Sequence, residues 1–238
     1  MIAPPVAERA RAAHVWTLSA ARRTIPQVTG TAHVAARLTG LCLDRSGHLP
    51  DNDYLAMAVR GGLLVDLALA LRLTQTDDSI ELRSTPTGWP PADWALEELG
   101  ALDGRSLDWW LENSAVRLAD VAAALVADGS WARLRPHPLH LKPRYAVGQA
   151  EALAHDRTLL TRPDSAAGCE DAAVVAIAAV GGLAGRQRAA WSADELLVRT
   201  EPVAWVCQLV TDYIDRARID GTAVSSASQA ALWSGMPY

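Results

Sequence analysis

The stretch YLAMAVRGGLLVDLALAL, residues 54–71, decides how the chain is read. Apart from Arg60 and Asp66 it is apolar or small throughout, and its length suits a helix rather than a strand. It is also long enough to cross a bilayer. Each of the two charges, however, would cost about 2.5–3.5 kcal/mol near the bilayer centre on insertion scales. A helix that is apolar nearly all round and carries buried charge reads as the central element of a soluble domain, with Asp53 as its N-cap. The second apolar run, AAVVAIAAVGGLAG at residues 172–185, is too short and too rich in Ala and Gly to span.

Working outward, HVAARLTGLCLD reads as a short helix and DRSGHLPDND as a turn with capping residues. After the central helix, LRLTQTDDSIELRS switches to a period of two across a Thr-Asp-Asp turn, which predicts a short β-hairpin. STPTGWPPADWALEELG gives a loop and a helix from near Pro90 to Gly100, and SLDWW a short helix. NSAVRLADVAAALVADG is amphipathic and stops at Gly129. Three further helices follow in AVGQAEALAHDRTLL, EDAAVVAIAAVGGLAG and PVAWVCQLVTDYIDRARI, and the tail SASQAALWSGMPY reads as loosely held. The expected fold is mainly α: a single helical domain over residues 31–238, with seven or eight helices and two small β-hairpins, one projecting and basic. Residues 1–30 form a basic N-terminal extension bearing Arg9, Arg11, Arg22 and Arg23.

The 238 residues carry a formal net charge of −5, and half of them are hydrophobic, enough for a sizeable core. MIAPPVAERARAAHVW lacks the apolar centre of a secretory signal. Cys42, Cys169 and Cys207 lie far apart in apolar or Ala-rich surroundings. That pattern suits three reduced thiols of a cytosolic protein, not a disulfide framework or a zinc site. No nucleophile elbow, zinc-protease helix or phosphate-binding glycine loop occurs. GGLAG, residues 181–185, follows a helix-like segment and so fails as a dinucleotide turn. The chain is therefore expected to be no enzyme and to hold no metal or other cofactor.

One segment departs from the acidic average. Between residues 129 and 150 there is no Asp or Glu, while WARLRPHPLHLKPRY, residues 131–145, holds Arg133, Arg135, Lys142 and Arg144 with His137 and His140. Its alternation predicts a hairpin with a turn at residues 136–139, placing Leu134 opposite Leu141, Arg135 opposite His140 and Arg133 opposite Lys142. One face would be apolar and the other cationic. Like charges directly opposite on a ladder are destabilising, so such a face calls for solvent screening or an external anion: nucleic acid, lipid headgroups or an acidic protein. His137 and His140 have no neighbouring carboxylate or thiol to complete a metal site.

These residues carry a family resemblance. GLCLDRSGHLPDNDYLAMAVRGGLLVDLALALRL, with its Asp-x-x-Gly turn and its Arg-Gly-x-x-Leu-x-Asp-Leu-Ala-Leu helix at residues 60–69, resembles the Golgi phosphoprotein 3 family. Pro86-Thr87-Gly88 before a helix, RLADVAAALVADGSW, and His137-Pro138-Leu139 continue the likeness, from about residue 38 to 218. The resemblance, to a member of prokaryotic type, implies one mainly helical domain with a projecting hairpin that touches the bilayer. It also implies peripheral membrane binding, in eukaryotic members to phosphatidylinositol 4-phosphate, and adaptor work for glycosyltransferases. The family's headgroup arginine in this helix matches Arg60. Its tryptophan nine positions earlier is Asp51 here, and two further arginines fall on Ala115 and Leu118, with Arg117 nearby.

The expected function is therefore a cytoplasmic, peripherally associated membrane protein that binds anionic, phosphoinositide-like headgroups. The lipid-binding residues would be Arg60, Arg117, Arg133, Arg135, Lys142 and Arg144, with Trp131 and Leu139 touching the membrane. Protein clients and a homo-oligomer are further expected partners. Each arginine has a plainer reading: an ion pair for Arg60 with another segment, since Asp66 is wrongly phased, and an i+3 pair with Asp120 for Arg117. Core packing is the plainer reading of Trp131, and of Trp109 and Trp110. The alternative function is a winged-helix nucleic-acid-binding regulator, with residues 131–145 as the wing. Against it stand the acidic chain and Asp120 and Asp128 on the would-be recognition helix.

Overall fold

The computed structural model describes residues 33–76, 79–134, 142–184 and 191–234, with side chains described except at Ala193 and beyond residue 221. The basic extension at residues 1–30, the Thr-Asp-Asp turn beyond Thr76, and Arg135, His137, Leu139 and His140 lie outside the described residues. Among the described residues there are nine α-helices and two separate two-stranded antiparallel sheets. The mainly helical expectation holds, and no described helix is long and apolar enough to cross a membrane.

The order is α1 (Val34–Leu41), α2 (Asp53–Leu69), β1 (Leu73–Gln75), β2 (Ile80–Leu82), α3 (Pro90–Gly100), α4 (Leu107–Asn113) and α5 (Leu118–Ala127). Then come β3 (Trp131–Leu134), β4 (Arg144–Val147), α6 (Ala150–Thr161), a short 3-10 turn, α7 (Cys169–Val180), α8 (Ala193–Thr200) and α9 (Ala204–Ser234). The ninth helix is α8. Its eight residues, ADELLVRT, make little more than two turns, and its start is fixed by a reciprocal cap between Ser192 and Glu195.

α2 is the hub, as its composition predicts: α1, α3, α4, α5, α7 and α9 all pack on it. Its two glycines let neighbours approach. A Cβ on Gly61 would collide with the Val210 side chain of α9, and one on Gly62 would lie 2.8 Å from the Ala35 Cα of α1. The helix starts one residue earlier than read, because Asn52, not Asp53, caps it by accepting the Leu55 amide at 3.1 Å. It ends in a Schellman turn: the Arg72 amide donates to the Leu67 carbonyl and the Leu71 amide to that of Ala68. Leu71 takes the left-handed position (φ 56°) usually given to glycine, and its side chain is 60% exposed.

Charge in this last turn of α2 holds the start of α1. The buried Asp66 carboxylate accepts the Val34 amide at 2.8 Å and the Ala35 amide at 3.1 Å. These are first-turn donors that a helix cannot satisfy itself. The Pro-Thr-Gly motif is held in a similar way. Asp93 in the first turn of α3 accepts the Thr87 and Gly88 amides at 2.6 and 3.2 Å. Gly88 supplies the positive φ of 85°. Of the paired tryptophans, Trp110 is core and Trp109 lies outside it under the Arg105 guanidinium.

Candidate functional site

Arg60 is half-buried where α2 meets the end of α4 and the start of α5. Its Nε–H donates to the Val116 carbonyl at 2.9 Å and Nη1 to the Leu111 and Glu112 carbonyls at 2.8 and 3.0 Å. Nη2 donates to the Ser114 carbonyl at 2.6 Å. These acceptors lie in the last turn of α4 and in the link to α5, where backbone carbonyls lack helical donors. Among the described residues the arginine has no ion-pair partner, and four of the five N–H donors of its guanidinium are committed to backbone. Burial, and less strongly Arg117, depresses its pKa below the ordinary value against the pull of Glu98 and Asp53. Glu98 ties down the same link by accepting Trp110 Nε1 at 2.8 Å and the Ala115 amide at 3.1 Å.

Glu112, whose carbonyl Arg60 holds, lines a cleft of about 630 Å³ bounded by the start of α2, the end of α4 and one side of α9. Asp51, Asp53, Glu112 and Asp220 line it, with the rings of Tyr54 and Tyr213. Its cation, Arg216, is paired with Asp108 at 3.1 Å. Burial first, then the Glu112 carboxylate that accepts its hydroxyl at 3.2 Å, pushes the Tyr213 phenol up to about 12. The position where the resemblance puts a tryptophan is therefore one of several carboxylates around an open space.

Arg117 is exposed, next to the Val116 carbonyl that Arg60 holds. Asp120 accepts its backbone amide at 2.8 Å, so that carboxylate caps α5. No ion pair joins the two side chains among the described residues. Arg60 and Arg117 thus sit together at the start of α5, while the hairpin follows its other end. Ten helical residues separate the two groups of cations by roughly 15 Å.

The hairpin forms, but in another register. Trp131 pairs with Val147, Ala132 with Ala146, Arg133 with Tyr145, and Leu134 with Arg144. The expected pairing of Arg133 with Lys142 is three residues out. Residues opposite each other share a face, so Arg133 lies with Trp131 and Tyr145, and Arg144 with Ala132 and Leu134. No purely cationic face forms on the described strands. The register is set by packing that alternation cannot show. Trp131 is only 5% exposed, sits against Tyr145 at 6.0 Å between ring centroids, and has its ring near Gly40 of α1. The expectation that Trp131 touches a membrane is thereby corrected: it anchors the hairpin to the core.

The Asp-x-x-Gly turn fixes the other strand. Asp44 accepts the Ser46 and His48 amides at 2.7 and 2.9 Å. Gly47, at φ 82°, lies so close to the Tyr145 carbonyl that no Cβ fits, and its own carbonyl accepts the Tyr145 amide at 2.8 Å. Arg144 Nε donates to the Ser46 carbonyl at 2.8 Å. Arg133 and Lys142 are exposed, and neither has an ion-pair partner among the described residues.

A charged cluster at the root of this region went unread in the sequence. Arg37 of α1 donates to Asp156 of α6 and to Asp171 of α7, each at 2.7 Å. Asp156 is buried, so the cluster joins three helices through one guanidinium. Its members are far apart in sequence, and no spacing links them. Among the described residues no group of His, Cys, Asp and Glu could hold a metal ion.

The chain matches no curated protein. The model of the family described as Golgi phosphoprotein 3 (GPP34) matches residues 35–217, well over half of the chain. That span runs from α1 into α9 and takes in the Asp-x-x-Gly turn, the α2 hub and the hairpin. On that match, the chain belongs to the Golgi phosphoprotein 3 family.

Proposed function

We propose that this protein is a peripheral membrane protein that docks reversibly on anionic bilayers through the acid-free segment 129–150. Arg133, Arg135, Lys142 and Arg144 are the proposed contacting cations, with Leu139 the proposed apolar contact. The family is one of non-enzymatic, lipid-binding proteins. The observation that carries the proposal is the pair of exposed cations Arg133 and Lys142, neither ion-paired among the described residues, on a hairpin anchored to the core through Trp131 and Tyr145. Arg117 contributes as an exposed cation at the far end of α5. Arg60 supports the surface from beneath, by holding the α4–α5 link. The bound protein then presents its remaining surface to protein clients as an adaptor. The winged-helix alternative gains nothing here: α5, LADVAAALVA, carries no cation to enter a groove.

Each basic residue near such a bilayer is worth about 1 kcal/mol and is screened within a Debye length. Flotation with vesicles containing or lacking anionic lipid, at low and physiological salt, tests this. The protein should float only with anionic lipid, and less as salt rises. The double change Arg133→Ala/Lys142→Ala should weaken binding about 30-fold. No lipid-dependent flotation at low salt overturns the proposal. A salt-dependent shift of random duplex DNA without flotation favours the nucleic-acid alternative.

A further inference from the structure

We infer that the turn from Asp44 to His48 is the positioning element of the docking hairpin, setting the direction in which β4 leaves the core and so how its cations meet a bilayer; this rests on the membrane reading above. A two-stranded hairpin is marginal by itself, and β3 and β4 pair only with each other. β3 is held through Trp131, whose buried ring lies near Gly40 of α1. β4 is held along its open edge by the turn. The Tyr145 amide donates outward to the Gly47 carbonyl at 2.8 Å, and Arg144 Nε to the Ser46 carbonyl at 2.8 Å. Asp44 closes the turn with every polar group it has. Its amide donates to the His48 carbonyl and its carbonyl accepts the Gly47 amide, each at 3.0 Å. Its carboxylate accepts the Ser46 and His48 amides at 2.7 and 2.9 Å. That side chain is exposed and fills no core position, so its work is confined to the turn. Lys142 is three residues from Tyr145, at most about 11 Å of chain. Screening confines a charge's pull on a bilayer to about 8 Å at physiological salt. The two lengths are alike, so the angle fixed at Tyr145 decides whether such a cation counts.

The test compares Asp44→Asn with Asp44→Ala in the full chain, by flotation with vesicles of phosphatidylcholine and phosphatidylserine. Both variants lose the same negative charge, and with it the 3.7 Å approach to His48 Nδ1. Only asparagine keeps an oxygen for the Ser46 and His48 amides. Asp44→Asn should bind at least as tightly as the unchanged protein, because a negative charge near the hairpin is gone. Asp44→Ala should bind about three- to tenfold less tightly than Asp44→Asn, with the same salt slope. Hydrogen exchange at the Tyr145 amide should quicken in the alanine variant and not in the asparagine variant. Gly47→Ala changes no charge but sets a Cβ against the Tyr145 carbonyl at a φ of 82°; it should weaken binding to a similar extent while circular dichroism shows the helices intact. Equal affinities for Asp44→Asn and Asp44→Ala, or unchanged binding by Gly47→Ala, overturn the inference and leave the membrane reading intact. No lipid-dependent flotation of the unchanged protein overturns the membrane reading, and the inference with it.

Discussion

Replacing Asp66 by alanine should cost the domain much of its stability, although the residue forms no strong ion pair. Its two oxygens hold the Val34 and Ala35 amides at 2.8 and 3.1 Å, and all three residues are buried. Truncation leaves two buried donors without acceptors, at about 1–3 kcal/mol each. It also removes a negative charge from the positive end of α1. Alanine recovers up to about 0.7 kcal/mol through its better helix propensity in α2. The net loss should be about 3 kcal/mol, a large part of the 5–15 kcal/mol typical of a domain. For a domain of this size that lowers the melting temperature by about 6–12 °C. Asp66→Asn keeps one carbonyl acceptor and should lose about half as much. Urea unfolding of the three proteins, with hydrogen exchange at Val34 and Ala35, reads both effects. A loss below about 1 kcal/mol for alanine, or equal losses for alanine and asparagine, would falsify the capping role.

Arg60→Ala should destabilise by about 2–4 kcal/mol, because several carbonyls at the α4–α5 link lose a charged donor; thermal unfolding measures it, and a neutral result refutes the assignment of those bonds. Gly61→Ala should cost about 1–3 kcal/mol by overpacking against Val210, and adding Val210→Ala should recover most of the loss in chemical unfolding. An uncompensated double variant would place the strain elsewhere. At Asp171 burial opposes ionisation, but the Ala167 amide and the Arg37 guanidinium outweigh it and hold the carboxyl below its ordinary value. A lowered folded value means that the stabilisation is complete above the unfolded value of about 3.9 and fades as pH falls through the folded one. Asp171→Asn should therefore flatten the acid limb of stability below about pH 4, read by urea unfolding across pH; an unchanged limb refutes it.

What could be read in advance was what repeats along the chain or stands beside itself in it. α2 was legible because its apolar surface is continuous, and α3 because Pro90 and Gly100 bracket it. The hairpin at residues 131–147 was legible as a hairpin but not in register, since alternation alone does not fix which residues oppose one another. Trp131 decides that, by seeking the core against Tyr145 and α1. Contacts between distant segments were out of reach for the same reason: nothing near Arg37 announces Asp156 or Asp171, and nothing near Asp66 announces the amides of α1. The same limit applied to Arg60. A guanidinium on an apolar helix signals a buried polar partner, but only the fold shows that its partners are carbonyls.

Arg60 and Asp66 are six residues apart on α2, a rise of about 9 Å. One fastens the end of α4 and the other the beginning of α1. The interval therefore acts as a ruler between two helices that never adjoin in sequence. Inserting or deleting a single residue between them would rotate one fastening by about 100° relative to the other. This spacing must therefore stay constant in any chain that keeps both attachments.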